Sequence, residues 1–337
     1  MKIIVAFVGL AVAVVTLFAL SLYCGSVAIP FAGVTDILAG RACPDHPSWA
    51  YIIWEHRLPQ AVTATLCGAA LAVSGLLLQT AFRNPLAGPS VLGIDSGAHL
   101  GAALAVLVAG GTLTAGTLTL GGFTLIVLAA LLGALSVMGV LLLLSRLLRD
   151  NAMLLIAGIM VGYLTSSVIS LLNFRATAEG VRTMALWGMG SFSGVPLDRL
   201  PWLCATLAFG LLLSVLLIKP LNALLLGDNY ARNLGISIRR TRTFLLLTTG
   251  LLTATTTAHC GPIAFIGLAV PHVARLLTGR ADHRVLLPAT LLTGAALALV
   301  CNLVSTLPGD AGIIPVNVIT PVIGAPVVLW VILKLEK

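Results

Sequence analysis

The sequence predicts an all-α polytopic membrane protein with about ten transmembrane helices. Hydrophobic residues make up 59% of its 337 residues and charged residues only 9%, whereas about a quarter of a soluble domain is charged. Several uncharged stretches reach the roughly 20 residues with which a helix crosses the hydrocarbon layer. The net charge of +8 comes from too few basic residues to cover a phosphate backbone, so a nucleic-acid partner is excluded.

The uncharged stretches place the spans in order along the chain. They cover residues 3–35, 58–82, 96–145, 151–174, 200–218, 243–274, 285–309 and 311–333. The stretch 96–145 is too long for one helix, and the glycine pair at 110–111 predicts a turn within it. Pro262 predicts a break in 243–274, because proline cannot continue a helix interior. Ten spans result, the third beginning near Gly93.

The first apolar run, from Ile3 to Tyr23, is longer than the usual core of a cleaved signal peptide. A lipoprotein signal would also need a small residue before Cys24, where Tyr23 stands. We therefore expect this run to be a retained first span.

The distribution of basic residues predicts the orientation, because cytoplasmic loops carry an excess of Lys and Arg. Ten spans put both termini on one side of the membrane. With the termini in the cytoplasm, fourteen of the 19 basic residues lie inside. The five that lie outside are Arg41, Arg57, Arg175, Arg182 and Arg199.

The sequence lacks the usual nucleotide-binding loop, so we expect no ATP binding by that route. A nucleotide-binding loop needs a Gly-Lys-Ser/Thr motif to hold phosphate and magnesium. None of the four lysines, Lys2, Lys219, Lys334 and Lys337, follows a glycine. We also find no convergent acid, base or metal set, so we predict neither an enzyme nor a bound cofactor.

Ion-coupled carriers usually place a carboxylate in mid-membrane. Asp95 lies near the start of the third span and Asp310 between the ninth and tenth, so neither is clearly at the midplane. A stand-alone secondary carrier is the less favoured alternative.

The six cysteines lack the C-x₂-C spacing of a zinc or redox site, and we predict no metal site. Cys24 and Cys43 could both lie at the outer side, and whether they pair stays open.

One stripe of small and weakly polar residues runs along the fifth span. It consists of Gly158, Gly162, Ser166, Ser170 and Asn173. Such residues permit close helix packing, and they could equally form the wall of a wet pathway at a subunit interface. Spacing alone leaves both interpretations open.

The inner segment 219–242 reads KPLNALLLGDNYARNLGISIRRTR. Asp228 is a plausible N-cap and Gly235 a plausible C′ residue of a short helix. A short capped helix beside exposed leucines would suit a cytoplasmic partner, and the alternative is a simple connecting loop.

Several long motifs follow one another along the chain. They read RLPQAVTATLCGAALAVSGLLLQTAFRNPLAGPSVLGIDSG at 57–97, WGMGS at 187–191, DNYARNLG at 228–235 and GPIAFIGLAVPHVAR at 261–275, followed by Asp282-His283-Arg284. In this order they resemble the FecCD-type permeases of ABC importers, which take up iron chelates and cobalamin. Matching blocks extend from about residue 55 to the C-terminus.

The resemblance implies the type II ABC importer permease fold, with residues 1–337 as one permease domain in the bacterial inner membrane. It implies a homodimer with two ATPase subunits below it and a periplasmic binding protein above it. The fifth-span stripe then becomes the favoured translocation pathway, and 219–242 becomes the segment that couples to the ATPase. The coupling residues implied are Gly227, Asp228, Ala231, Arg232, Leu234 and Gly235.

In this family, outer arginines typically meet acidic residues of the binding protein. Arg57 matches the first arginine of the family's Arg-Leu-Pro-Arg pattern, but Gln60 replaces the second. Arg175, Arg182 and Arg199 could compensate, or could lie at the mouth of the pathway. The stretch TMALWGMGSFSG looks more like that of iron-chelate members, which favours a ferric siderophore or haem over cobalamin as the cargo.

Overall fold

A computed structural model describes residues 2–41, 46–110, 112–115, 118–148, 151–307 and 312–335. These residues form fifteen helices and one short hairpin. The helices are α1 (Lys2–Tyr23), α2 (Phe31–Leu38), α3 (Pro47–Tyr51), α4 (Leu58–Phe82), α5 (Ile94–Ala103), α6 (Gly122–Leu147), α7 (Asn151–Arg175), α8 (Ala178–Gly188), α9 (Leu200–Leu216), α10 (Ile218–Leu225), α11 (Asp228–Asn233), α12 (Ile238–Cys260), α13 (Ile266–Thr278), α14 (His283–Thr306) and α15 (Val316–Leu335). Two π-helical segments, Ile52–Arg57 and Leu104–Val108, precede α4 and extend α5.

Ten of these helices stand at the ten predicted spans, namely α1, α4, α5, α6, α7, α9, α12, α13, α14 and α15. By length and composition alone, five helices of the described chain qualify as spans, and α9 with α10, bent by 49°, would make a sixth. The helices α5 with its π-helical extension, α13 and α15 are shorter apolar helices. The helix α12 is long enough but rich in threonine, with arginines in its first turn. The helical, multi-span prediction is confirmed, and the helices are compatible with ten spans.

Both predicted breaks are confirmed. Gly110 has a φ of 62° and Gly261 a φ of 73°, and each follows the end of a helix. The hairpin after Gly110 was not predicted: Thr112–Ala115 pairs antiparallel with Leu118–Gly121. These four-residue strands lie in a Thr/Leu alternation that is too short to signal a strand by itself.

The helix α4 forms the centre of the bundle, packed against α9, α12, α13 and α14. Glycines permit this packing. A Cβ at Gly75 would lie 1.6 Å from the carbonyl oxygen of Gly267 on α13. A Cβ at Gly68 would lie 2.4 Å from the carbonyl oxygen of Gly294 on α14. Helices in lipid associate through close contacts of this kind, because apolar burial alone gains little there.

Cys43 and Asp310 lie outside the described residues. Cys43 falls in 42–45 and Asp310 in 308–311. The pairing of Cys24 with Cys43 therefore stays an open question.

Candidate translocation, coupling and docking sites

The fifth-span stripe divides into two parts on α7. Gly158 and Gly162 pack against the start of α5 and the loop before it. A Cβ on Gly158 would lie 3.1 Å from the Cα of Leu92, and a Cβ on Gly162 would lie 3.5 Å from Ser96 Oγ. These two glycines therefore hold α7 against its own subunit.

The polar end of the stripe faces outward. Ser166 and Ser170 are exposed, and Ser170 Oγ donates to the Ser166 carbonyl oxygen at 3.0 Å. Asn173 is half-buried, and its Oδ1 has no hydrogen-bond partner among the described residues. The surface offers weak polarity without charge, which suits a path that a solute crosses without tight binding.

Large apolar side chains surround these hydroxyls on the exposed side of α7. Tyr163 and Leu164 are 66% and 67% exposed, and Phe174 is 87% exposed. Along an apolar stretch of 18 residues in α7 only 22% is buried, against 83% along the corresponding stretch of the helix that ends with α4. The helix therefore has a broad face that its own chain leaves uncovered.

The coupling segment contains the predicted short helix. Gly227, with φ 114°, is the N-cap of α11, and Asp228 is its first helical residue, so the predicted N-cap at Asp228 was wrong by one position. The C-terminal prediction is confirmed, since Gly235 follows the C-cap with φ 79°. Its N–H donates to Arg232 O at 2.9 Å, and Ile236 N–H donates to Ala231 O at 3.0 Å. This pair of bonds is a Schellman motif, which the left-handed glycine makes accessible.

The helix α11 presents one side to the protein and the other outward. Ala231 is fully buried, whereas Leu234 is 58% exposed and Leu226, just before the helix, is 64% exposed. Arg232 is exposed as well. An exposed pair of leucines beside an arginine is a surface suited to a protein partner.

An ion pair joins α11 to the end of α4. Arg83 Nη2 lies 2.5 Å from Asp228 Oδ1. Arg83 is the C-cap of α4 and has a left-handed backbone, with φ 47°. The start of α11 is therefore attached directly to the central helix of the bundle.

A second connection, which sequence reasoning missed, runs from α10 through α14 to α4. Asn222 Oδ1 accepts from both the backbone N–H and the ring Nδ1 of His283, each at 2.8 Å. His283 Nε2 lies 2.9 Å from Thr80 Oγ1. With Nδ1–H donating to Asn222, the neutral ring leaves Nε2 as an acceptor, and the Thr80 hydroxyl lies between this nitrogen and the carbonyl oxygen of Leu76, 2.9 Å from each. The Asp282-His283-Arg284 motif was the available signal, but its partners lie far away in sequence.

Asp282 caps α14 in the same cluster. Its carboxylate accepts from Arg284 N–H at 2.9 Å and from Asn222 Nδ2 at 2.6 Å. These hydrogen bonds, the backbone bond first, lower the pKa of Asp282 below its ordinary value. Because hydrogen bonds to the charged form favour it, the cap stays ionised at neutral pH.

Arg57 does not occupy the exposed position that docking requires. Its side chain is buried, with 5% exposure. Its guanidinium donates to the carbonyl oxygens of Leu22 and Tyr23, each at 2.9 Å, and to that of Val27. These carbonyls end α1 and begin the following loop, so a cation there satisfies the acceptors that every helix C-terminus leaves open. The expectation of a docking role for Arg57 does not fit this geometry.

Gln60, which replaces the second family arginine, also forms a hydrogen bond within the chain. Its Nε2 donates to Asn302 Oδ1 at 2.8 Å, which joins α4 to α14. Neither position of the family's arginine pair therefore offers a free cation at the outer surface.

The other three outer arginines differ in their environment. Arg175, at the end of α7, and Arg182, on α8, are exposed. Arg199 is partly covered: it donates to Thr124 Oγ1 and lies 5.5 Å from the centre of the Phe123 ring. Arg175 and Arg182 are thus the outer cations open to a partner.

No group of three or more His, Cys, Asp or Glu side chains that could hold a metal ion occurs among the described residues. The Nδ1 atom of His259, which is adjacent to Cys260, lies 2.9 Å from the carbonyl oxygen of Thr255. His259 therefore has a local hydrogen bond within α12.

Comparison with known proteins identifies the family of this chain. The model of the FecCD transport family matches residues 5–334. The vitamin B12 import system permease protein BtuC of Klebsiella pneumoniae is 38% identical over 282 residues, which cover 84% of this chain and 82% of that protein. BtuC of Escherichia coli O9:H4 is 36% identical over 321 residues, which cover 94% and 95% of the two chains.

Solved structures agree with this assignment. An ABC transporter assigned to the metal-chelate type, solved in an inward-facing conformation, matches with a TM-score of 0.83 and 28% identity, covering 99% of both chains. PsaBC from Streptococcus pneumoniae, in complex with Fab, shares the fold alone, with a TM-score of 0.52 and 14% identity over 81% of this chain and 89% of that one. Since the family model and these relatives cover nearly the whole chain, the chain belongs to the FecCD transport family and is an ABC importer permease.

Proposed function

We propose that this permease works as a homodimer in the bacterial inner membrane and imports a corrinoid of the cobalamin class. Two ATPase subunits would bind its cytoplasmic face, and a periplasmic binding protein would deliver the cargo. The observation that carries the transport part is the uncovered face of α7, where exposed Ser166 and Ser170 lie among large apolar side chains.

A second copy of the chain would cover part of the α7 face and leave the hydroxyls along a path between the subunits. Ser166 and Ser170 lie four residues apart, and Ser170 already bonds back to the helix. Such hydroxyls offer a large solute weak contacts, and they carry no charge that would bind it tightly. A path of this kind passes cargo in response to a change between outward-open and inward-open states and needs little affinity of its own.

The force for that change would enter through the coupling segment, residues 219–242. Arg232 of its helix α11, with Leu226 before the helix and Leu234 at its C-cap, is exposed. The Arg83–Asp228 ion pair and the contacts among Asn222, His283 and Thr80 connect it to α4 and α14. We assign contact with the ATPase to the exposed side of the coupling segment. We assign transmission of the conformational change to the side that packs against α4 and α14.

The corrinoid assignment is supported by the named function of the relatives, whose identity of 36–38% extends over most of the chain. This preference replaces the sequence-based preference for a ferric siderophore or haem. An iron chelate is the second candidate, because the solved transporter with a TM-score of 0.83 is of the metal-chelate type. A corrinoid is itself a chelated metal, so both candidates share one chemical class.

The test is reconstitution of the permease in proteoliposomes with its cognate ATPase and binding protein. We expect ATP-dependent uptake of radiolabelled cyanocobalamin, and no uptake with a hydrolysis-deficient ATPase. Uptake that survives loss of hydrolysis would overturn the ABC-driven mechanism. Uptake of a ferric siderophore or haem in place of cyanocobalamin would overturn the corrinoid assignment and leave the mechanism standing.

A further inference from the structure

Two cavities adjoin one another at the cytoplasmic ends of α9 and α12. The larger, of about 440 Å³, lies between Leu213 and Leu216 of α9 and the first turns of α12. The smaller, of about 240 Å³, is lined by Arg146, Arg239, Arg240, Thr243 and Phe244. Arg240 and Phe244 line both cavities, so the two adjoin along one edge of α12. Gly235 and Ser237 of the coupling segment line the larger cavity, whereas the helix α11 itself and the exposed face of α7 lie outside the site.

The lining of the site changes from charged to apolar with depth. Arg240 lies in the first turn of α12, with Phe244 and Thr248 at the next two turns into the span. At a rise of 1.5 Å per residue, Phe244 lies roughly 6 Å and Thr248 roughly 12 Å deeper than Arg240. Leu216 of α9 is 70% exposed and Phe244 60% exposed. This order matches a phospholipid, whose charged headgroup lies above its acyl chains.

The arginines at the headgroup level form no ion pair with a described acidic residue. Arg146, Arg239 and Arg240 are all exposed. Among the described residues, the salt bridges within 4.0 Å involve Arg41, Arg83 and Arg199 instead. The N-terminus of α12 adds the positive end of a long helix to the same position. Within the described part of the chain, these three arginines have no acidic partner within 4.0 Å, which leaves a positive surface where an anion could bind.

We propose that this site binds one anionic phospholipid of the cytoplasmic leaflet, with its phosphate among Arg146, Arg239 and Arg240 and an acyl chain along Leu213, Leu216 and Phe244. Basic pockets between helices on the cytoplasmic side commonly recognise anionic headgroups. A zwitterionic lipid presents the same phosphate with a cation beside it, which the three arginines disfavour. Free phosphate would lack the apolar contacts that the larger cavity provides.

The first test is native mass spectrometry of the full-length permease, titrated in parallel with phosphatidylglycerol and with phosphatidylcholine of identical chains. We expect retention of phosphatidylglycerol over phosphatidylcholine. Arg240→Gln should weaken phosphatidylglycerol binding about fivefold, which corresponds to about 1 kcal/mol for one arginine at the membrane surface. Arg280→Gln, which removes an exposed charge from the loop between α13 and α14, is the matched control and should leave binding unchanged.

Three results would overturn the proposal: equal retention of the two lipids, equal weakening by Arg240→Gln and Arg280→Gln, or displacement of the lipid by millimolar inorganic phosphate or glycerol phosphate. A fourth comes from assembly with the ATPase. If Arg240→Gln weakens ATPase binding and leaves phosphatidylglycerol binding intact, the arginines belong to that protein interface.

A second measurement locates the bound lipid. In Phe244→Trp, the added tryptophan lies in both cavities, and its emission is obtained as the difference from the wild-type spectrum. Brominated phosphatidylglycerol should quench this emission more strongly than brominated phosphatidylcholine. Equal quenching by both lipids would mean that the position meets bulk lipid only.

Discussion

Arg83 Nη2 lies 2.5 Å from Asp228 Oδ1 and so joins the end of the central helix α4 to the first residue of α11, the helix that we propose couples to the ATPase. Both side chains are partly exposed, at 46% and 33%. Ion pairs with this exposure contribute about 0–1 kcal/mol to stability. We therefore expect the pair to matter more for transmission between these helices than for folding.

Asp228→Asn should lower the stimulation of ATP hydrolysis by the loaded binding protein, while dimer and ATPase assembly persist. The charge-reversed pair, Arg83→Asp with Asp228→Arg, should recover part of the stimulation because the attraction is restored. Asn229→Ala, at an exposed neighbour, is the control. Wild-type stimulation in Asp228→Asn would show that the ion pair transmits nothing.

Gly235→Ala tests the Schellman motif that ends α11. Gly235 has a φ of 79°, and an L side chain in a left-handed conformation costs roughly 1–2 kcal/mol. We expect the C-terminal turn of α11 to rearrange and coupled ATPase activity to fall several-fold, with the subunit still assembled. Gly279→Ala introduces the same strain at φ 62° after α13, and both glycines have open space around them. Equal losses in the two variants would assign the effect to general strain.

Arg57→Gln should act on folding. The guanidinium donates to three carbonyl oxygens around the end of α1, and each hydrogen bond from a charged group contributes about 1.5–3 kcal/mol. The apparent melting temperature in detergent should fall by several degrees. The binding protein's affinity for the remaining folded permease should stay near that of the wild type. A loss of affinity without a change in melting temperature would restore a docking role to Arg57.

Arg182→Glu should show the opposite behaviour. Arg182 is exposed on α8, so we expect an unchanged melting temperature and weaker binding of the periplasmic protein. The loss should be greatest at low ionic strength, because exposed charges are screened by salt. Arg41→Glu, at an outer arginine that already pairs with Asp36 at 3.1 Å, provides the control. Salt-independent or absent weakening would remove Arg182 from the docking surface.

Features with a local cause were predictable from the sequence, and those that depend on distant contacts were not. The helix breaks at Gly110 and Gly261 and the left-handed Gly235 follow from backbone chemistry within a few residues. The burial of Arg57 depends on carbonyls 34 and 35 residues earlier in the chain, and the contact of Thr80 with His283 joins residues 203 apart. An arginine in a docking motif has the same local pattern whether it is exposed or capping another helix.

The α7 stripe can be tested by water accessibility, since a transport path is wet and a lipid-facing surface is not. In the assembled importer, with the native cysteines replaced, Ser170→Cys should react with a membrane-impermeant cationic thiol reagent, and excess cargo should slow the reaction. The control is Ser136→Cys on α6, an exposed serine that likewise donates to its own helix, to Gly133 O at 2.7 Å. Exposed Leu132, Leu135 and Val140 lie near it on α6, so we expect this surface to face lipid and the cysteine to stay unmodified. Equal protection of both cysteines from the reagent would place Ser170 in a dry contact between helices and exclude it from the path.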